Sequence, residues 1–308
     1  MNALLSAAFV ICWSSGFIGA KLGAGSASAV TLLMWRFLPL ALVLLAVALA
    51  RSSWRGLTPR DVARQAVIGA LSQSGYLLTV YGAIQLGVSS GTTALIDGVQ
   101  PLVAGALAGP LLHQYVSRRQ WLGLGLGVAG VAVVTGADAA SGGHAAWWAY
   151  AVPFLGMLSL VAATLLEGRS RTKVKPETAL TTHCLTSAVV FTALAVGSGA
   201  AVPPAEPSFW VATVWLVVLA TFGGYGLYWI ILSRSGVTQV NTLMFLMAPV
   251  TAVWGALMFG EPFGAQTALG LAVALAAVLV VRRGAGSGHP PAEDVRDDTA
   301  KAAAGARR

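Results

Sequence analysis

The chain has 308 residues, 56% hydrophobic and only 10% charged, with a mean hydropathy of +0.76. Soluble domains carry roughly 25% charged residues, so a single water-facing surface is excluded. The net charge of +8 is spread between apolar runs rather than gathered on one face, which excludes a nucleic-acid binder.

A helix needs about 20 apolar residues to cross the hydrocarbon core. Ten runs qualify, approximately 3–21, 28–50, 63–86, 89–112, 119–137, 146–167, 178–199, 208–232, 236–259 and 264–282. No run alternates like a barrel strand, so helices are the expected spanning element. The first run follows Met1 and Asn2 with no basic segment before it, so a cleaved signal peptide is not expected.

Basic residues fall in alternate gaps. Arg51, Arg55, Arg60 and Arg64 fill the second gap, Arg118 and Arg119 the fourth, and Arg169, Arg171, Lys173 and Lys175 the sixth. Arg234 marks the eighth, and Arg282 and Arg283 close the last run. The other gaps hold Lys21 and the acids Asp138, Glu206 and Glu261. This asymmetry puts the basic gaps and both termini in the cytoplasm. Trp147, Trp148 and Trp210 stand where aromatic belts form. The fold class read from this pattern is an all-α, multi-pass protein of the cell membrane.

The chain repeats itself with a period of about 148 residues. Gly87-Val88, Pro101, Leu122-Gly123 and Gly127–Val134 return as Gly236-Val237, Pro249, Leu269-Gly270 and Ala274–Val281. The expected organisation is therefore a five-helix repeat over 1–137, a second over 138–283, and a disordered cytoplasmic tail over 284–308. Five spans per half is an odd number, so the halves are inverted in the membrane. Inverted repeats are the architecture of many secondary transporters.

These residues resemble the drug/metabolite transporter superfamily in its ten-span EamA branch, over about residues 3–283. The resemblance rests on Trp13-Ser14-Ser15-Gly16, Arg36-Phe37 and Ser117-Arg118-Arg119-Gln120-Trp121-Leu122-Gly123. In the second half it rests on Ala248-Pro249 and Phe259-Gly260-Glu261-Pro262. The family pattern has Gly-Glu at the end of both the fourth and ninth spans; here the fourth carries His113-Gln114 instead. The resemblance implies export of amino acids or small metabolites, coupled to an ion gradient such as protons. The alternatives are an efflux carrier for cationic compounds and, in another class, a non-transporting or enzymatic membrane protein.

Ionisable residues inside a span are functional candidates. Arg36 and Asp97 lie about equally deep in the second and fourth spans, which permits a contact. The pair could be structural, could gate or bind a zwitterionic substrate, or could leave Asp97 as a proton carrier. Gln73, Tyr76 and Gln100 lie at similar depth; Trp13 and Ser14 are central in the first span; Asn241, Tyr225 and Tyr228 are candidates in the second half. Pro101 and Pro249, at related mid-span positions, are kink or hinge candidates. His183 is expected to be a satisfied or headgroup-level residue. His113, His144, His183 and His289 are scattered, which gives no catalytic cluster, and Cys12 and Cys184 have no metal-site spacing. No catalytic residue, metal or cofactor is expected.

Overall fold

The computed structural model describes residues 3–112, 117–141, 145–170 and 174–285. All regular structure among them is helical: α1 (Ala3–Ala24), α2 (Ala29–Ala50), α3 (Pro59–Gly69), α4 (Tyr76–Gln85), α5 (Ser90–Gly98), α6 (Gln100–Leu112) and α7 (Arg118–Ala140). The second half holds α8 (Ala151–Gly168), α9 (Pro176–Gly197), α10 (Pro207–Trp215), α11 (Gly226–Met244), α12 (Met247–Phe259) and α13 (Ala265–Ala285). Among the described residues seven continuous helices are long and apolar enough to cross a membrane, with shorter apolar helices beside them.

Local chemistry sets many of the boundaries. Thr58 and Asp61 form a capping box that opens α3, and Ser117 and Gln120 form one that opens α7. Ser28 and Ser89 cap α2 and α5 through their side-chain oxygens. Pro59, Pro176 and Pro207 occupy first-turn positions, where a missing N–H costs nothing. Gly260 closes α12 in a left-handed conformation, φ 65°, which a side chain would resist.

Two long helices contain π-helical stretches, Ala70–Gly75 between α3 and α4 and Leu216–Tyr225 between α10 and α11. Each ends on a Gly-Tyr step, Gly75-Tyr76 and Gly224-Tyr225. Each π turn inserts a residue and re-aims the side chains after it. The helix breaks are paired as well. The fourth apolar run is interrupted at Val99, and Pro101 sits in the first turn of α6. The chain breaks again at Phe245-Leu246, and Pro249 sits in the first turn of α12.

That second break corrects the sequence expectation. The turn expected at 233–235 is absent, and α11 runs through Arg234-Ser235-Gly236 to Met244. Glycine weakens a helix without stopping it; the nearest residue that cannot continue one is Pro249.

The packing follows a two-fold pattern. α2 lies on α9, α5 on α12 and α7 on α13. α1 packs on the Leu216–Tyr225 stretch, as α4 packs on α8. Exchanging the two halves maps the α2–α9 and α7–α13 pairs onto themselves and the α1 contact onto the α4–α8 one. The core holds Phe17, Leu32, Leu33, Phe37, Ile96, Phe191, Phe209 and Leu216, all essentially buried. Outward faces are apolar too: Leu42, Val43, Val47 and Leu49 on α2, and Val211, Val214, Val218 and Phe222 around α10, are exposed. Exposed apolar area on this scale is a surface for lipid, not water.

Small residues set the close approaches. A side chain at Gly123 would strike Val281, and one at Gly127 would strike Leu102. At Gly105 a Cβ would meet Gln120 Nε2 at an ordinary 4.0 Å, and the side of Gly109 lies outside the described residues, as do His113, Gln114, His144, His289 and the tail from 286.

Candidate functional site

A cavity of about 60 Å³ lies between α1, α2, α4 and the second π-helical stretch. Its wall includes Trp13, Phe17, Arg36, Tyr76, Tyr81 and Tyr225. At roughly 10–15 Å³ per water it has room for a few waters, so a larger ligand needs the helices to part.

Arg36 is 4% exposed. Its Nη1 donates to the Tyr81 hydroxyl at 2.6 Å, and its Nε and Nη2 donate to Thr221 Oγ1 at 3.3 and 3.1 Å. It also lies over the Phe37 ring, 5.1 Å from the centroid. All these partners are neutral. The π-helical turn brings Thr221 to the guanidinium.

Asp97 is also buried, and its Oδ2 accepts from the Tyr76 hydroxyl at 2.7 Å. Its Oδ1 is buried without a partner. Equal depth does not bring Arg36 and Asp97 into an ion pair: Arg36 bonds Tyr81 and Thr221, and Asp97 bonds Tyr76. Arg36, on the cavity wall, and Asp97, bonded to Tyr76 of that wall, are therefore two buried ionisable groups that do not pair with each other. That is costly unless a ligand completes it.

The aromatic wall is built on Trp13. Its ring meets Tyr225 edge-on at 5.5 Å, with Tyr228 at 5.8 Å. Gln73, 4% exposed, donates to the Tyr225 hydroxyl at 3.5 Å and accepts from Ser187. Two candidates turn elsewhere. Ser14 donates to the Met247 carbonyl at 3.4 Å, and Gln100 bonds Thr164 on α8. The break at Val99 rotates Gln100 away from the face that carries Asp97. The side chain of Asn241 lies outside the described residues. Sequence depth did not reveal Tyr81, Thr221 or Phe17, because depth says nothing about rotation around a helix axis.

One end of the molecule is fastened by acids. Glu261 accepts from the Ser90 N–H at 3.0 Å and its hydroxyl at 2.6 Å, and pairs with Lys21 at 3.2 Å. Asp138 accepts from the Ser89 N–H at 3.1 Å. Two carboxylates thus hold the N-terminus of α5, where the helix dipole favours negative charge. Gly255 leaves room for this, since a side chain there would strike both Glu261 and Ser90. Glu261→Ala removes these bonds and should cost about 2–3 kcal/mol of stability. Thermal unfolding in detergent reads the loss; Lys21→Met, at the more exposed partner, should cost less.

The model of the EamA-like transporter family matches residues 1–136 and again 147–283. The chain belongs to the EamA-like transporter family. Among curated relatives, the "Probable terminal-alkyne amino-acid exporter" of Streptantibioticus cattleyicolor is 26% identical over 284 residues, covering 89% of this chain and 91% of that one. One solved crystal structure superposes with a TM-score of 0.62 at 20% identity, covering 91% of this chain and 97% of the other. That likeness concerns the fold. As an EamA protein the chain is a multi-pass membrane transporter, and its two matched segments agree with the paired packing of its helices.

Proposed function

We propose that this protein is a secondary carrier that exports zwitterionic amino acids from the cytoplasm by alternating access. In this reading ten spans form two inverted repeats in the cell membrane, with both termini and the basic gaps on the cytoplasmic side. The Lys21 end then faces outward.

The observation that carries the reading is Arg36, a buried cation with neutral partners on the wall of a small cavity. A substrate carboxylate supplies its missing counter-charge, and a bidentate guanidinium–carboxylate contact is strong where water is excluded. The unpartnered oxygen of Asp97 sits behind Tyr76 and suits the substrate ammonium once the helices part. The exporter named among the relatives supports the amino-acid class. Efflux of cationic compounds fits less well, since a cation would meet Arg36 in the wall. Protons are the proposed coupling ion.

Transport follows from the two ends. With the Glu261–Lys21–Ser90 fastening closed, the cavity is cut off from the outside. Opening that end while the halves exchange their arrangement releases the substrate outward. Counterflow of labelled amino acids in liposomes tests the reading: exchange that an excess of one amino acid abolishes supports a carrier, and its absence for all of them refutes the amino-acid assignment. Trp13→Ala removes the ring that holds Tyr225 and Tyr228 in place. It should raise the half-saturating concentration about fivefold, from about 1 kcal/mol of aromatic contact, as measured by counterflow titration.

A further inference from the structure

We propose that His183 is the protonation site that couples transport to a proton gradient, resting on the reading above. His183 is the eighth residue of α9, as Arg36 is the eighth of α2, and these two helices pack together. The pair start from opposite ends of the molecule. In an inverted repeat His183 is therefore the counterpart of Arg36, set about 10 Å from the cytoplasmic end of its helix.

Its bonding fixes its tautomer. Gln65, 2% exposed, donates from Nε2 to Glu167 Oε2 at 3.0 Å. That turns Gln65 Oε1 toward His183, whose Nε2 lies 2.9 Å away and so must carry the hydrogen. Nδ1 is left as the basic nitrogen. A proton arriving there makes an imidazolium whose charge is met by the Gln65 dipole and, beyond it, the Glu167 carboxylate. Gly69 allows this, since a side chain there would strike the His183 backbone.

One turn further along α9, Ser187 donates to Gln73, and Gln73 donates to Tyr225 on the cavity wall. Two short polar chains, one turn of α9 apart, thus lie between the cavity and Glu167, which is exposed at the end of α8. Among the described residues, α3 faces His183 with Gln65 and α8 supplies Glu167. The ionisable group of α2 is Arg36, in its far half, and the π-helical stretch faces α9 with Gln73 and Ser74, which carry no charge. On α9 itself Cys184 is adjacent, and Glu177 lies in the first turn. In the antiport cycle a proton enters from outside, resides on His183 Nδ1 and leaves to the cytoplasm past Glu167 as substrate moves outward.

The test uses the full chain in liposomes with a labelled zwitterionic amino acid. His183→Gln should keep counterflow within about twofold and lose at least tenfold of the accumulation driven by an imposed pH gradient. Gradient-driven accumulation that survives in this variant overturns the proposal. Should His183→Gln fail to fold, Glu167→Gln at the exposed end carries the same test. Removing the anion destabilises the imidazolium, so the pH profile of gradient-driven accumulation must move to lower pH, and an unmoved profile overturns the proposal. A readout independent of substrate separates this proposal from the amino-acid assignment. The imidazole ¹³C signal of His183, one of four histidines, must titrate as the pH is lowered in lipid nanodiscs, and a signal that stays neutral until the protein unfolds overturns the proposal even if amino acids are carried.

Discussion

Replacing Arg36 by glutamine is expected to cut the apparent affinity for amino-acid substrates about a hundredfold, while the protein still folds. Removing one member of a buried charge pair costs roughly 2–5 kcal/mol, and a hundredfold corresponds to about 2.7 kcal/mol. The loss should appear in half-saturation because the missing contact is with the substrate carboxylate. In the empty protein Arg36 bonds only neutral hydroxyls, from Tyr81 and Thr221. Losing two or three such bonds is partly offset by no longer burying an uncompensated charge. Arg36→Lys should restore part of the affinity, since an ammonium keeps the charge but cannot make the bidentate contact. Concentration-dependent counterflow for the three proteins checks this order. An Arg36→Gln protein that transports like the wild type removes the carboxylate site.

Gly130→Leu is expected to give the largest loss of stability. α7 and α13 approach so closely that a Cβ at Gly130 would lie 2.7 Å from the Gly270 carbonyl oxygen and 2.9 Å from the Ala274 nitrogen. Both obstacles are backbone, so neither can swing aside as a flexible side chain would. Small residues let membrane helices meet through their backbones, where packing rather than the hydrophobic effect holds them. Forcing a large side chain into such a contact costs typically 1–3 kcal/mol, and here about 3 or more is expected. Gly136→Leu on the same helix is the control, since that position faces open space. A Gly130→Leu protein as stable in detergent as Gly136→Leu would contradict this packing.

How far the sequence was legible depended on the kind of information each feature needs. The apolar runs and the alternate basic gaps follow from transfer energies, which act residue by residue, so the helical membrane architecture could be read directly. The paired prolines, Pro101 and Pro249, marked both helix breaks approximately, because proline cannot continue a helix whatever surrounds it. The turn expected near Arg234 was misplaced because Gly236 and Ser235 permit a turn without requiring one.

Features that depend on rotation about a helix axis were not legible. Nothing in composition distinguishes Ala70–Gly75 or Leu216–Tyr225 from ordinary helix, yet those π stretches adjoin Tyr76, Tyr81 and Tyr225 of the cavity wall and carry Thr221 to Arg36. Gln100 was chosen by depth and faces α8 instead. The bond between Ser90 and Glu261 spans 171 positions and needs the assembled fold. The same holds for His183: its sequence position suggested a satisfied side chain, while its link to Gln65 and Glu167 emerges only when α3, α8 and α9 come together.

The most direct test of Arg36 as a carboxylate reader uses the unmodified protein and two competitors. Counterflow of a labelled amino acid is challenged with an excess of the same amino acid and, separately, with the amine left when its carboxylate is removed. The proposed site predicts full competition by the amino acid and at least a hundredfold weaker competition by the amine, whose positive charge meets Arg36 with nothing to pair it. Equal competition by the two would contradict the assignment.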